Sequence, residues 1–355
     1  MALLAGAPAP MFTAPSHVNP EFAFSSLGGR YVLLAFLPPP GPERDQAIEL
    51  VLQHRAAFAD DQRIFFGVLP DEASYRAREG DRPPLRWFGD WTGDIRRLFH
   101  AEDAAGHVVP QWVVLDPSMR VLGTAPLAEG ARTLAGLIRL GAPDDHAGVP
   151  LSAPVLIVPR VFEPDLCRRL IGLYQAQGGV PSGVMRERGG RTIGVLDAFK
   201  KRRDAVIEEP GLLAEVRGRL ARRLLPEIEK AFQFKATRVE RFIVACYDAE
   251  EGGYFRAHRD NTTGGTAHRR FAVSINLNAE AFEGGDLRFP EFGSRTYRPP
   301  TGGAVVFSCS LLHEATPVTR GIRYAFLPFL YDEAAAELRA RNLHLLAPSP
   351  DTAAG

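Results

Sequence analysis

A stretch rich in Gly, Pro and Asp, GAPDDHAGVPLSAP (141–154), separates two halves whose apolar residues follow different patterns. Such a segment reads as a linker, so the chain is expected to fold as two domains. Upstream, RYVLLAFLP is a continuous apolar run, as in a strand buried on both faces. PERDQAIELVLQHRAAF follows, with Ile48, Val51, Leu52 and Ala56 on one helical face. RIFFGVLP is a second buried strand, QWVVLDPSMRVLGTAPL a hairpin turning at Asp116-Pro117-Ser118, and EGARTLAGLIRLG a closing helix. That order is the grammar of an α/β sandwich.

Downstream the pattern changes. PDLCRRLIGLYQAQGG is a helix with Pro164 in its first turn, Leu166, Leu170, Ile171 and Tyr174 on one face, and Gly178 past its end. PGLLAEVRGRLARRLL is a second, with Leu213, Val216, Leu220 and Leu224 in line. From Thr237 onward come short strands separated by Gly, Pro and Asn turns, which predicts a barrel or jelly roll braced by helices. The expected boundaries are 1–143 for the first domain, 144–154 for the linker, 155–334 for the second domain, and 335–355 for a C-terminal helix and tail.

Composition excludes several classes. Lys+Arg and Asp+Glu both number 42, so no global field points to nucleic acid. No apolar run approaches the roughly 20 residues that span a bilayer. The opening MALLAGAPAPMF lacks a basic segment, which argues against a signal peptide. Cys167, Cys246 and Cys309 are widely spaced in apolar patterns, as buried thiols would be. The expectation is a cytoplasmic protein, with a homodimer as its expected assembly.

The chemistry gathers in YFRAHRDN (254–261). Side chains two apart on extended backbone point to one side, so His258 and Asp260 reach a common point while Arg259 faces away. Alone, this pair is as readily a surface ion pair. His313, 53 residues after Asp260 and next to the strand GAVVFSCS, supplies a third donor. Two imidazoles and one carboxylate on one face suit non-haem Fe(II) with open positions. A structural zinc site would want four protein ligands. Ten residues on, Arg323 sits in the apolar strand GIRYAFLPF beside Ala325, Leu327 and Phe329. A guanidinium there needs an anion, and a dicarboxylate ligand fits its fork. Lys200 to Arg203, in FKKRRDA, reads as a solvated charge run, with attraction of an acidic peptide as the other reading. His268 reads as a solvated loop histidine or a residue facing substrate. Asn261 to His268 reads as a flap, its Gly264 and Gly265 acting as hinges.

Two resemblances follow. GAPAPMF, FGDWTGDIRRLF and VVLDPSMRVLG resemble the peroxiredoxin branch of the thioredoxin fold. That branch begins its first helix with a reactive cysteine, whereas here the turn is LPPPGPERD and no cysteine precedes Cys167. Without a thiolate there is no nucleophile for peroxide, so the resemblance implies a catalytically silent module. Residues 155–332 resemble the prolyl-4-hydroxylase branch of the 2-oxoglutarate/Fe(II) dioxygenases. The resemblance rests on VACYDAEEGGYFRAHRDN, GGDLRFPEFG, LLHEATPVTRGIRYAFLPFLYD and PVLIVPRVFEPDLCRRLIGLY. It implies iron ligands at His258, Asp260 and His313, with Arg323 holding the far carboxylate of 2-oxoglutarate. Tyr247 would touch the cosubstrate, Asn276 would assist the anchor, and Tyr254 would line the pocket. O2 is the co-reactant, ascorbate a reductant, and the implied fold a double-stranded β-helix. The substrate implied is a prolyl residue in a peptide or protein. A free amino acid or small metabolite is the alternative, and a non-enzymatic thioredoxin-like scaffold is the reading from another class. Nucleic-acid demethylation fits poorly, because those relatives carry a second arginine where Phe329 stands.

Overall fold

The computed structural model describes residues 3–17 and 19–346. The end of the expected tail, 347–355, lies outside the described residues. The chain forms two compact units, Met1–Ala153 with Pro290–Ser294, and Pro154–Phe289 with Arg295–Gly355.

The first unit is a seven-stranded mixed sheet. Its strands are β1 (Thr13–Ser16), β2 (Asn19–Ala23), β3 (Tyr31–Phe36), β4 (Arg63–Leu69), β5 (Trp87–Gly89), β6 (Gln111–Leu115) and β7 (Val121–Pro126), in the order β2-β1-β5-β4-β3-β6-β7. β3, β4 and β5 pair in parallel, and the remaining pairs are antiparallel. β3 is buried throughout because the sheet is covered on both faces. Val32, Leu34 and Phe36 join Phe66 and Phe88 on one side, while Leu33 and Ala35 join Phe65, Trp87 and Trp112 on the other. The hairpin and the closing helix Gly130–Arg139 form as expected.

The helix Pro42–Gln53 is shorter than its pattern suggests. It buries Arg44, Ala47, Ile48 and Val51, whereas Leu52 and Ala56 are exposed. The strands β1, β2 and β5 carry no strong apolar run and are not legible in the sequence. Gly67, in the parallel centre, marks a close approach: a Cβ there would lie 2.3 Å from the Trp87 ring. Gly67→Ala is therefore expected to lower this unit's unfolding free energy by about 2 kcal/mol, read from urea denaturation, because the indole has nowhere to move.

The second unit packs two helical elements on antiparallel sheets. Pro164–Gln177 ends at Gly178, whose φ is +67°, and Pro210–Arg219 runs on through a π-turn (Leu220–Leu224) into Leu225–Phe232. Pro226 accounts for that turn, since it lacks the N–H that would bond back to residue 222. These helices bury Leu170, Val216, Leu220 and Ile228 against Val244, Ile275, Val306 and Phe326. In the larger sheet Ile243–Asp248 and Phe271–Asn276 flank Val318–Phe326, and Ala304–Ser308 pairs with Phe271–Asn276. A five-stranded sheet runs Lys200–Lys201, Tyr254–His258, His313–Ala315, Leu287–Arg288, Thr296–Tyr297. The hairpin Val184–Arg188 with Arg191–Val195 was not expected from its polar sequence. All three cysteines are free and buried, and burial pushes the Cys167 thiol up to about 12. No described helix is long and apolar enough to cross a membrane.

Candidate metal centre

His258 ends one strand and His313 begins its neighbour, and the two are Cα partners across the antiparallel pair. Asp260, two residues past His258, is fixed by its own N–H, which donates to the Cys309 carbonyl at 3.0 Å. One ligand atom from each of the three lies within 4.8 Å of the others. Nε2 of His258 is 3.5 Å from one Asp260 oxygen, and Nε2 of His313 is 3.3 Å from the other.

The backbone sets the tautomers. Nδ1 of His258 donates to the Arg256 carbonyl at 2.7 Å, and Nδ1 of His313 to the Leu311 carbonyl at 3.0 Å. With Nδ1 of each ring committed to a carbonyl, Nε2 of each faces the common point. Burial, and then the neighbouring His313, push His258 down to about 4, so its ring is neutral near pH 7. Burial opposes the charge of Asp260, yet His313 and His258 together hold its carboxyl well below the ordinary range. Two imidazole nitrogens and a carboxylate converge on one point. Such a donor set fits a divalent cation. Phe255 stacks on His258 at 3.5 Å between centroids, and Phe307 lies 4.6 Å from His313, so both rings are held by packing.

Arg323 lines the same cavity. It is 2% exposed, and strand pairing sets it opposite Tyr247, whose ring lies 5.1 Å below the guanidinium. Nη2 donates to Ser274 Oγ at 2.9 Å, while Nε and Nη1 are buried without a hydrogen-bond partner. Burial pushes its pKa down, as expected of a cation lacking a counter-ion. A buried guanidinium with two unsatisfied N–H groups is costly unless an anion completes it, and a carboxylate does so bidentately.

Other expectations change on contact with the structure. Asn276 does not line the cavity; its side chain donates to the Pro299 carbonyl, and Ser274, two residues earlier on the same strand face, meets Arg323 instead. Tyr254 is also outside the cavity, with its hydroxyl donating to the Ala198 carbonyl. A β-bulge is the reason. Three steps from Phe255 to His258 face two from Ala315 to His313, so Phe255 joins His258 on the cavity side. His268 is neither solvated nor facing the cavity. It is buried, with Nε2 2.5 Å from Glu240, whose other oxygen accepts from Arg269 at 2.6 Å. The loop after the ligands is pinned as well. The amides of Gly264 and Gly265 donate to Glu187 and Thr192, and a Cβ on either glycine would strike Leu345 or Leu346. These glycines permit close packing rather than hinge motion.

The charge run is only partly solvated: Lys201 is exposed, but Arg202 lines the cavity. Lys200 and Arg202 are buried, and Arg202 forks onto Asp204 at 2.7 and 2.6 Å. Arg202 and Arg241 line the cavity, and the sequence reading missed both. The available signal was R-x-D at 202 and 204, the spacing that places two side chains on one strand face.

Glu240 gives a test of the buried network. Burial opposes its charge, but His268 and Arg269 hold its carboxyl down to about 2. Its contribution is thus present above the ordinary carboxylate pKa and is lost as pH falls from about 4 through 2. Glu240→Gln should cost about 3 kcal/mol at pH 7, measured by denaturant unfolding, and that cost should shrink on acidification through this window.

The donor set and Arg323 meet in one cavity, and comparison with known proteins bears on the same region. Residues 242–331 match the family model described as the 2OG-Fe(II) oxygenase superfamily. Among curated relatives it is similar to PKHD-type hydroxylases. One, from Synechococcus sp. (strain JA-2-3B'a(2-13)), is 30% identical over 93 residues, which are 24% of this chain and 41% of the relative. The chain therefore spans 41% of the length of that relative. Among solved structures, a Trichoplax adhaerens prolyl hydroxylase in complex with a hypoxia inducible factor peptide is 20% identical, covering 54% of this chain and 87% of that one, with a TM-score of 0.39. A Mycobacterium tuberculosis peroxidoxin is 18% identical, covering 39% and 97%, with a TM-score of 0.33.

Proposed function

We propose that the C-terminal unit is a 2-oxoglutarate- and Fe(II)-dependent hydroxylase built on a double-stranded β-helix, acting on a prolyl residue of a peptide or protein. One observation carries the cosubstrate half of this reading: a single cavity is lined by the His-Asp-His donor set and by a guanidinium with two buried, unsatisfied N–H groups. The prolyl target rests on the resemblance and on the hydroxylase relatives. The N-terminal unit is read as a thioredoxin-like module without peroxide chemistry, because no cysteine occurs before Cys167.

In this reading His258, Asp260 and His313 hold the iron on one face, and the other face is left for small ligands. Iron with 2-oxoglutarate and O2 supplies the oxidising power that converts a C–H bond to C–OH, with succinate and CO2 released. The chain's own part is placement. Arg323 binds the far carboxylate of the cosubstrate, Ser274 fixes the guanidinium plane, and the Tyr247 ring supports it from below. Phe255, Leu287 and Phe307 keep water from the ligands. The carbonyls of Arg256 and Leu311 each take an Nδ1 proton, which leaves Nε2 of both rings to face the ion.

Anaerobic loading with Fe(II), then succinate release against a panel of proline peptides, tests the reading. Release that requires iron, 2-oxoglutarate and a proline peptide supports it. Iron binding without any 2-oxoglutarate turnover contradicts it.

A further inference from the structure

Arg323 belongs to the cosubstrate, but two more guanidiniums line the cavity, and they are not equivalent. Arg202 is fully engaged. It forks onto Asp204, donates to Ser182 at 3.1 Å, and approaches the Tyr247 hydroxyl at 3.5 Å. Among the described residues, the Arg241 side chain has a single hydrogen bond. Its Nη2 reaches Asp204 Oδ2 at 3.3 Å, the oxygen that already accepts from Arg202 at 2.6 Å. Otherwise Arg241 rests over the Phe329 ring, 5.4 Å from its centroid. Its side chain is 28% exposed, open to a ligand.

The two respond to burial in opposite ways. Burial opposes the charge of Arg202, but Asp204 and Tyr247 outweigh it and its pKa rises. Burial and then Arg202 push Arg241 down to about 10, and Asp204 does not make up the difference.

The charge balance of the cavity points the same way. Arg202, Arg241 and Arg323 line it together with Asp260, and Asp204 pairs with Arg202 beside it. A divalent ion and the dianion 2-oxoglutarate cancel each other. One positive charge then remains uncompensated, and by contact it belongs to Arg241. A low-dielectric pocket holding an excess cation favours an anionic partner.

We propose that Arg241 is a substrate-positioning residue that takes a carboxylate of the molecule to be hydroxylated. This rests on the oxygenase reading and narrows its substrate class to acids. The carboxylate belongs either to a small acid, such as a free amino acid, or to an acidic residue beside the target in a peptide. Arg241 grips that carboxylate in a charge-assisted pair while Phe329 supports the guanidinium plane.

The test uses full-length protein loaded with Mn(II) and 2-oxoglutarate without oxygen, and measures binding calorimetrically. The probes are carboxylate and amide pairs: L-proline with L-prolinamide, N-acetyl-L-proline with its amide, and an acetylated proline tripeptide with Asp or Asn beside the proline. In at least one pair the carboxylate member should bind about tenfold or more tightly. Preference among the single amino acids marks a small acid, and preference in the tripeptide pair marks an acidic peptide. Arg241→Met should erase the preference, and Arg241→Lys should retain part of it. Equal affinity within every pair in the wild type, or a preference that survives in Arg241→Met, overturns the proposal. If Mn(II) and 2-oxoglutarate themselves do not bind, it is the oxygenase reading that fails.

Discussion

Asp260→Ala is expected to abolish metal binding and all iron-dependent turnover while leaving the fold intact. Asp260 contributes the one anionic donor of the set, and its two oxygens lie 3.5 and 3.3 Å from the two imidazole nitrogens. Without it two imidazoles remain, and two donors do not hold a divalent ion against water. Losing only the outer partner of a metal ligand costs roughly 10–100-fold in affinity, so losing the charged ligand itself should exceed that. Calorimetric titration with Mn(II) measures the loss, and circular dichroism checks the fold. Undiminished Mn(II) affinity in the variant would place the ion elsewhere.

Arg323→Met should raise the 2-oxoglutarate requirement by roughly 100-fold or more, through two charge-assisted hydrogen bonds worth about 1.5–3 kcal/mol each. Metal affinity should change little, since Arg323 lies on a strand of the other sheet. The effect should therefore appear in the KM for 2-oxoglutarate, with Arg323→Lys recovering part of it. Met is the better probe than Ala because it fills the buried volume beside Tyr247. Steady-state succinate release at varied 2-oxoglutarate resolves the two parameters. An unchanged KM would remove Arg323 from the anchor role.

The sequence carries the metal set because its geometry is local. An i, i+2 pair at a strand end points one way whatever surrounds it, and His313 lies at the next strand's start. How the strands meet is not legible in the same way: His258 and His313 are direct neighbours in one sheet. Arg323 is legible because a cation in an apolar strand demands an explanation. Its helper was misassigned because Ser274 and Asn276 share a face, and only pairing between strands tells which of them meets Arg323. Tyr254 was misassigned because a bulge is a property of two strands, and one strand's sequence does not show it. Lys200 to Arg203 and His268 misled for a common reason. Charged residues in polar sequence look solvated until their partners are found, Asp204 two residues along the same segment and Glu240 on a separate strand. In the N-terminal unit the doubly buried strands β3 and β4 announce themselves, whereas β1, β2 and β5 take their strand character from the neighbours that pair with them.

The most direct measurement is a crystal structure with Mn(II) and 2-oxoglutarate. The account predicts one ion held by Nε2 of His258, an oxygen of Asp260 and Nε2 of His313, with the cosubstrate's far carboxylate on Nε and Nη1 of Arg323. An ion bound elsewhere while these three side chains stay uncoordinated would contradict it.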